Sequence, residues 1–221
     1  MTNNYTELET TLQSKILEFN LNVGHIKPLL NPLNQKLVNP PKQHNLPVLF
    51  KSSIIIESFL EAKKAFKQSK RPLFVFLKRN TKAASQFLID QKYSVCCEWI
   101  AGMLTNFIQI QKNLVEYNIL FEKDNSGQKL LVAERQRLKT LEKVFVNFHL
   151  TELPDLIIFS DAVFSRKCAL LETITLNIPT IAICDSNANP KNILYPIFAN
   201  DDSVLGTEFL LKTLIEEESQ E

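Results

Sequence analysis

The sequence predicts an α/β protein: a parallel sheet flanked by helices, with an inserted antiparallel coiled-coil hairpin and an irregular N-terminal arm. Short, continuously apolar runs alternate with helical segments over most of the chain, the pattern of strands buried on both faces and joined by crossover helices. Between residues 107 and 148 apolar side chains instead recur at alternating steps of three and four. Prolines at 28, 32, 40, 41 and 47 crowd the segment after the first helix, removing backbone donors and turning preceding residues away from helix.

Taken in order, Leu8, Leu12, Ile16 and Phe19 predict an amphipathic helix over 6–20, ending in a turn-like stretch at 20–24. The proline-rich segment 24–47 is expected to be extended. Strands are expected at 48–50 with 54–56, then at 73–77, 94–97, 156–159 and 180–184, with a short one at 195–197. Helices are expected at 57–68, 81–91, 165–176 and 203–217. In the long gap, Phe107, Ile110, Leu114, Tyr117 and Phe121 form one seam. Leu131, Glu134, Leu138, Leu141, Phe145 and Phe148 form the other, beyond a turn at 124–127, so two antiparallel helices follow. Glu134 is the polar seam position and belongs near the tip. The expected organisation is an N-terminal helix and arm (1–47), an α/β domain in two segments (48–104 and 150–221) and the inserted hairpin (105–149).

At 221 residues and 45% hydrophobic content the chain can bury a good-sized core. Its longest apolar runs, 72–77 and 153–159, fall far short of the roughly 20 residues of a membrane-spanning helix. A net charge of +1 and a pI near 7.6 lack the basic balance of a general nucleic-acid binder, so any RNA contact must rest on local patches. Cys96, Cys97, Cys168 and Cys184 lie in apolar stretches without zinc-knuckle or redox spacing, and read as buried thiols in a reducing compartment. The opening MTNNYTELETTLQSK contains acids and lacks the Arg-rich character of a transit peptide, so an import signal is either unnecessary or internal.

A parallel sheet invites a nucleotide site, because ligands bind outside the carboxyl ends of its strands. The four glycines, Gly24, Gly102, Gly127 and Gly206, are too scattered for any phosphate-cradling loop. After the strand ending at Leu77 comes Lys78-Arg79-Asn80, a basic turn without glycine. His25, His44 and His149 have no nucleophile in a recognisable frame; His25 reads as structural and His44 as solvated. Asp161, Asp185, Asp201 and Asp202 follow strands and could converge at one end of the sheet, where oxygen ligands suit Mg²⁺. Capping of helix N-termini, at about 1 kcal/mol each, outweighs that reading. No catalytic residue and no cofactor are therefore expected, with Asp161, Asp185 and Asp201 as the set that would hold a structural Mg²⁺.

Six ordered segments resemble the small-subunit ribosomal protein S2 family over nearly the whole chain. Gly24-His25 with Asn31-Pro32 resembles its G-H-x-x-x-x-x-N-P. Residues 73–82 resemble its strand and basic turn, and WIAGMLTNF (99–107) its W-L-G-G-M-L-T-N. LPDLIIFSD (153–161), NIPTIAICDSNANP (177–190) and YPIFANDDS (195–203) resemble its L-P-D strand, its G-I-P strand with the D-T-N-x-D-P turn, and its Y-x-I-P-x-N-D-D. The family also inserts a helical hairpin where periodicity places one here. Departures include Asn22 for a histidine, Glu98 for a basic residue, Phe76-Leu77 for Gly-Thr and Ala101 for a glycine.

The resemblance implies a flavodoxin- or Rossmann-like sheet. It also implies a structural, non-enzymatic constituent of the ribosomal small subunit, binding small-subunit rRNA and neighbouring ribosomal proteins during translation, with no membrane and no small-molecule substrate. Divergence, Phe-, Ile-, Asn- and Lys-rich usage and the missing presequence point to the mitochondrial matrix, with plastid or bacterial cytoplasm as alternatives. Lys27, Lys36, Lys42, Lys78, Arg79, Lys82, Arg166 and Lys167, in loops or at element ends, are the candidate phosphate contacts. Trp99, Gly102, Thr105 and Asn106 are read as a structural anchor and hairpin base, Thr105 and Asn106 capping the first hairpin helix. Two other functions fit the same chain: a degenerate nucleotide- or metal-dependent α/β enzyme using Asp161, Asp185 and Asp201, and a coiled-coil adaptor outside the ribosome.

Overall fold

Leu156, Ile157, Ile158 and Phe159 are all buried, as are all five residues from Thr180 to Cys184, so the strands they form need helices over both faces. The computed structural model describes residues 2–39, 41, 43, 45–78, 81–162 and 167–216, of which 2–7, 81, 82 and 167 are described by backbone alone. In chain order it runs α1 (Thr2–Glu18), β1 (Val23–Ile26), β2 (Val38–Asn39), β3 (Pro47–Phe50), α2 (Ser52–Gln68), β4 (Pro72–Val75), α3 (Gln86–Asp90) and β5 (Ser94–Cys96). It continues with α4 (Phe107–Asn125), α5 (Val132–Phe145), β6 (Leu156–Phe159), α6 (Lys167–Thr175), β7 (Thr180–Cys184), β8 (Tyr195–Phe198) and α7 (Val204–Ile215).

Strands β4 to β8 form an all-parallel sheet in the order β5-β4-β6-β7-β8. Counted along the chain this is 2-1-3-4-5, the flavodoxin-like order, with its switch point between β4 and β6. The pleat sends alternate side chains to opposite faces. Phe74, Ile158, Ile181 and Ile183 join a core with Leu12 and Ile16 of α1, Ile55 and Phe59 of α2, and Leu210 and Leu214 of α7. Leu73, Val75, Ile157, Phe159 and Ala182 join a second core with Trp99, Met103 and the base of the hairpin. Cys96 and Cys184 are buried free thiols, Cys97 and Cys168 half-buried ones. Among the described residues no helix is long and apolar enough to cross a membrane.

The expected elements recur with several differences, one being that the helix expected over 81–91 is a 3-10 turn at Thr81–Ser85 followed by the short α3. Residues 54–56 are not strand but the first turn of α2, and the Ile54 and Ile55 amides both donate to Lys51 C=O. A short apolar run has no periodicity to distinguish a buried strand from a helix. The proline-rich arm is more regular than expected, since β1, β3 and β2 pair as a small antiparallel sheet. Pro28 and Pro32 open the 3-10 turns Lys27–Leu29 and Pro32–Asn34, and Pro47 is the first residue of its strand, sites where a missing N–H costs little.

In the hairpin, Phe107, Ile110, Leu114 and Tyr117 pack with Leu138, Leu141 and Phe145, as spacing predicts, but the seam shifts by one residue near the tip. Leu120 and Leu130 are buried there, whereas Phe121 and Leu131 are 40% and 71% exposed. A nearly straight helix drifts against a strict seven-residue repeat by about 20° per heptad, enough to turn Phe121 outward. Glu134 lies at the tip, where it accepts from the Leu131 amide at 2.9 Å and from Lys123 at 3.3 Å and so caps α5. We expect Leu138→Ala to cost about 2–5 kcal/mol through the cavity it leaves. Leu131→Ala, at the exposed position, should stay within about 0.5 kcal/mol of wild type; chemical denaturation of the two variants side by side measures the difference.

Candidate functional site

Residues 99–106 form a turn-rich loop between β5 and α4, with Gly102 at φ 86°, a left-handed conformation that favours glycine. Its amides have no ladder partner, and one carboxylate collects them. Glu172, 7% exposed on α6, accepts from Trp99 Nε1 at 3.2 Å and the Gly102 amide at 2.9 Å. It also accepts from the Leu104 amide at 2.8 Å, the Thr105 amide at 3.1 Å and the Thr105 hydroxyl at 3.2 Å. Trp99 itself is 1% exposed within the second core. Asn106 occupies the cap position of α4, but its side chain makes no capping bond and the Thr105 hydroxyl is committed to Glu172, which corrects the capping roles expected for both. Nothing in the motif announced Glu172. The available signal was a lone acid in the apolar run of α6, which burial obliges to find donors.

Burial opposes ionisation of Glu172, but the amides of Leu104 and Thr105, the Trp99 indole and the Gly102 amide outweigh it and hold the carboxyl below its ordinary 4.5. A depressed folded value places this stabilisation above the ordinary value and removes it as pH falls through the folded one. Glu172→Gln puts an NH₂ against N–H donors and should cost about 2–3 kcal/mol at pH 7. Calorimetry from pH 6 to below about 4 should show the gap between wild type and E172Q narrowing with acid; identical Tm values at neutral pH would contradict the role.

The second polar constellation lies at the carboxyl ends of the strands, where an α/β protein of this topology presents a ligand crevice. Here the N-terminal arm crosses the turn after β7. The Asn34 amide group, fully buried, donates to the carbonyls of Ser186 at 3.0 Å and Ala188 at 2.9 Å. The Asn31 amide donates to Ser186 C=O at 2.9 Å and the His25 amide to Ser186 Oγ at 2.8 Å. A Cβ on Gly24 would lie 2.7 Å from Ser186 Oγ and 2.9 Å from Ser186 Cβ, so a side chain here forces the crossing to shift. His25 Nδ1 is 3.0 Å from Asp185 Oδ2, and Nε2 is 3.8 Å from Asp202 Oδ2. Lys78, three residues beyond β4, reaches Asp201 at 2.9 Å and Asp202 at 2.5 Å. Burial pushes the Asp185 carboxyl up to about 6 against the Ser186 amide and His25, and raises Asp201 against the pull of Lys78. Gly24→Ala should loosen the arm at a cost of about 1–3 kcal/mol, read as faster proteolysis within 27–47 while the sheet stays protected.

The candidate phosphate contacts separate on this frame. Lys27 and Lys36 stand exposed on the arm. Lys78 is nearly covered, with 11% of its side chain exposed, and its charge is spent on two carboxylates. Lys42, Arg79 and Arg166 lie outside the described residues, and Lys82 and Lys167 are described by backbone only. Asp161 is buried beside Ser160 Oγ, while Asp185 lies with His25 and Asp202 and also feels the charge of Asp201. His44 also lies outside the described residues.

Residues 16–218 match the family described as Ribosomal protein S2. The chain is 29% identical to small ribosomal subunit protein uS2c of Cyanidium caldarium, over 94% of its own length and 89% of that relative. It is 28% identical to uS2c of Porphyra purpurea, over 90% and 86% of the two chains. It is also 28% identical to small ribosomal subunit protein uS2 of Helicobacter acinonychis, over 91% and 86%. With a family match covering nearly the whole chain and a flavodoxin-ordered sheet beneath it, the chain belongs to the ribosomal protein S2 family.

Proposed function

We propose that this protein is a structural constituent of the small subunit of a mitochondrial ribosome, binding small-subunit rRNA and neighbouring ribosomal proteins. The observation that carries the reading is the arm lying across the carboxyl end of β7: Asn34, Asn31 and His25 fill ground that an α/β enzyme would keep open for substrate. The family is one of structural, non-enzymatic proteins, which agrees with a crevice closed by the protein's own chain. Divergence from the uS2 and uS2c relatives, together with Phe-, Ile-, Asn- and Lys-rich usage, supports the mitochondrial assignment.

Binding rests on positive side chains set on a rigid frame, reading phosphate position and 2′-hydroxyls by shape. Lys27 and Lys36 are the proposed contacts with an exposed position, joined by Lys42, Arg79, Lys82, Arg166 and Lys167. Lys78 we assign to internal support of the Asp201–Asp202 turn. Mass spectrometry of gradient-purified mitochondrial small subunits tests the assignment, and recovery of the chain only outside ribosomal fractions overturns it. A Lys27→Ala, Lys36→Ala double variant should keep its Tm, bind subunits or rRNA more weakly, and lose about one unit of salt slope per lysine that contacts phosphate. An unchanged salt series for the folded variant removes these two residues from the interface.

A further inference from the structure

Along α4 the hairpin seam uses Phe107, Ile110, Leu114, Tyr117 and Leu120, and it leaves three apolar side chains of the helix without a role. Ile108, Val115 and Ile119 are 72%, 57% and 51% exposed. At 3.6 residues per turn they fall within about 40° of arc, on the side of the helix opposite Ile110 and Tyr117. Helix α4 therefore presents one apolar stripe to α5 and a second, narrower one to solvent.

Two exposed charges, Lys112 and Glu122, complete the second stripe. Positions 108, 112, 115, 119 and 122 follow one another at alternating steps of four and three, the spacing of a coiled-coil seam. The neighbouring charges on α4 are committed inward to α5, Glu116 to Arg137 at 2.7 Å and Lys123 to Glu134 at 3.3 Å. Lys112 and Glu122 have no ion-pair partner among the described residues. They also flank the apolar pair symmetrically, Lys112 three residues before Val115 and Glu122 three residues after Ile119. Two copies of α4 laid antiparallel, with a two-fold axis at residue 117, set Lys112 of each copy against Glu122 of the other. Between those end pairs Val115 meets Ile119 twice.

We propose that this face of α4 binds a second copy of the chain, giving an antiparallel two-fold dimer of the free protein. Such an interface is isologous: each contact made by one copy is returned by the other, so the two end pairs are identical. A parallel arrangement would set Lys112 against Lys112 and Glu122 against Glu122, so charge selects the orientation as well as the register. The four aliphatic side chains at the centre supply the attraction, and the solvated end pairs contribute specificity more than affinity. Helix α5 stays on the far side of each α4, with the hairpin seam intact. A seam of about four helical turns buries less than the roughly 1,200 Å² of a standard interface, so the dimer is weak and reversible.

Sedimentation equilibrium of the purified full-length chain, over a concentration series reaching about 0.5 mM, should show monomer and dimer in exchange. Ile119→Ser, Lys112→Glu and Glu122→Lys, all at exposed positions, should each weaken the association by about tenfold or more, while circular dichroism shows the wild-type fold. Lys112→Glu and Glu122→Lys chains mixed in equal amounts should recover the dimer, because one chain then bears two negative charges and the other two positive charges at the facing positions. The proposal is overturned if the wild type sediments as a monomer across the series, if the dimer persists unchanged in all three variants, or if the mixture stays as monomeric as its components.

Discussion

The Glu172 carboxylate is the constraint on which the arrangement of sheet and hairpin depends. It is the shared acceptor for a loop whose backbone is neither helix nor strand, and it gathers three amides, an indole and a hydroxyl. Burying a carboxylate is costly, and only a full set of donors offsets it. Hydrogen bonds to a charged acceptor contribute about 1.5–3 kcal/mol each, so a complete set does so and a partial set would not. Because the donors sit immediately before α4 and the acceptor on α6, the same contact fixes where the hairpin leaves the sheet. Trp99 then fills the space beneath, packing into the core that receives Leu73, Val75 and Phe159.

Single polar side chains close two other irregular crossings in the same way. Asp155 accepts from Ser69 Oγ and from the amides of Lys70 and Arg71, tying the α2–β4 turn to the start of β6. Burial opposes its ionisation, and those donors with the Arg71 charge still hold the carboxyl below its ordinary value. Asn34 performs the converse task, donating to carbonyls of the turn after β7. Loops rich in unpaired backbone groups are costly to bury, and a side chain from a distant segment satisfies several at once. The loops at the carboxyl edge are thereby held against the arm, which converts a topology suited to ligand binding into a rigid frame.

How much of this was legible in the sequence follows from the range of each interaction. Strands β6 and β7 were placed at their observed bounds because four or five consecutive apolar residues between turn signals leave few alternatives. The hairpin was legible for the same local reason, and its seam failed only near the tip, where helix drift accumulates and Leu120 replaces Phe121. Residues 54–56 were misassigned because local pattern there fits two structures. Glu172 was not legible, since its donors lie about seventy residues upstream and no spacing rule links them. His25 and Asp185 are separated still further, and only the folded sheet brings the arm to the turn after β7. The segment WIAGMLTNF was conspicuous as a motif, but its meaning resides in the acid that its amides surround.

Charge shows why composition says so little about binding in this chain. A net charge of +1 would suggest indifference to RNA, yet several cations are already paired within the structure. Lys78 is held by Asp201 and Asp202, Arg137 by Glu116, Arg71 by Glu152 and Lys123 by Glu134. Such pairs remove charges of both signs from the account and leave the surface pattern to the remaining side chains. Lys27 and Lys36 fall on the arm, and the arm is positioned by contacts of Asn34, Asn31, Gly24 and His25 with the loop after β7. The proposed RNA contacts therefore depend on the residues that hold the arm: whatever loosens the crossing at Ser186 also releases the lysines from their fixed spacing, and shape recognition requires that spacing.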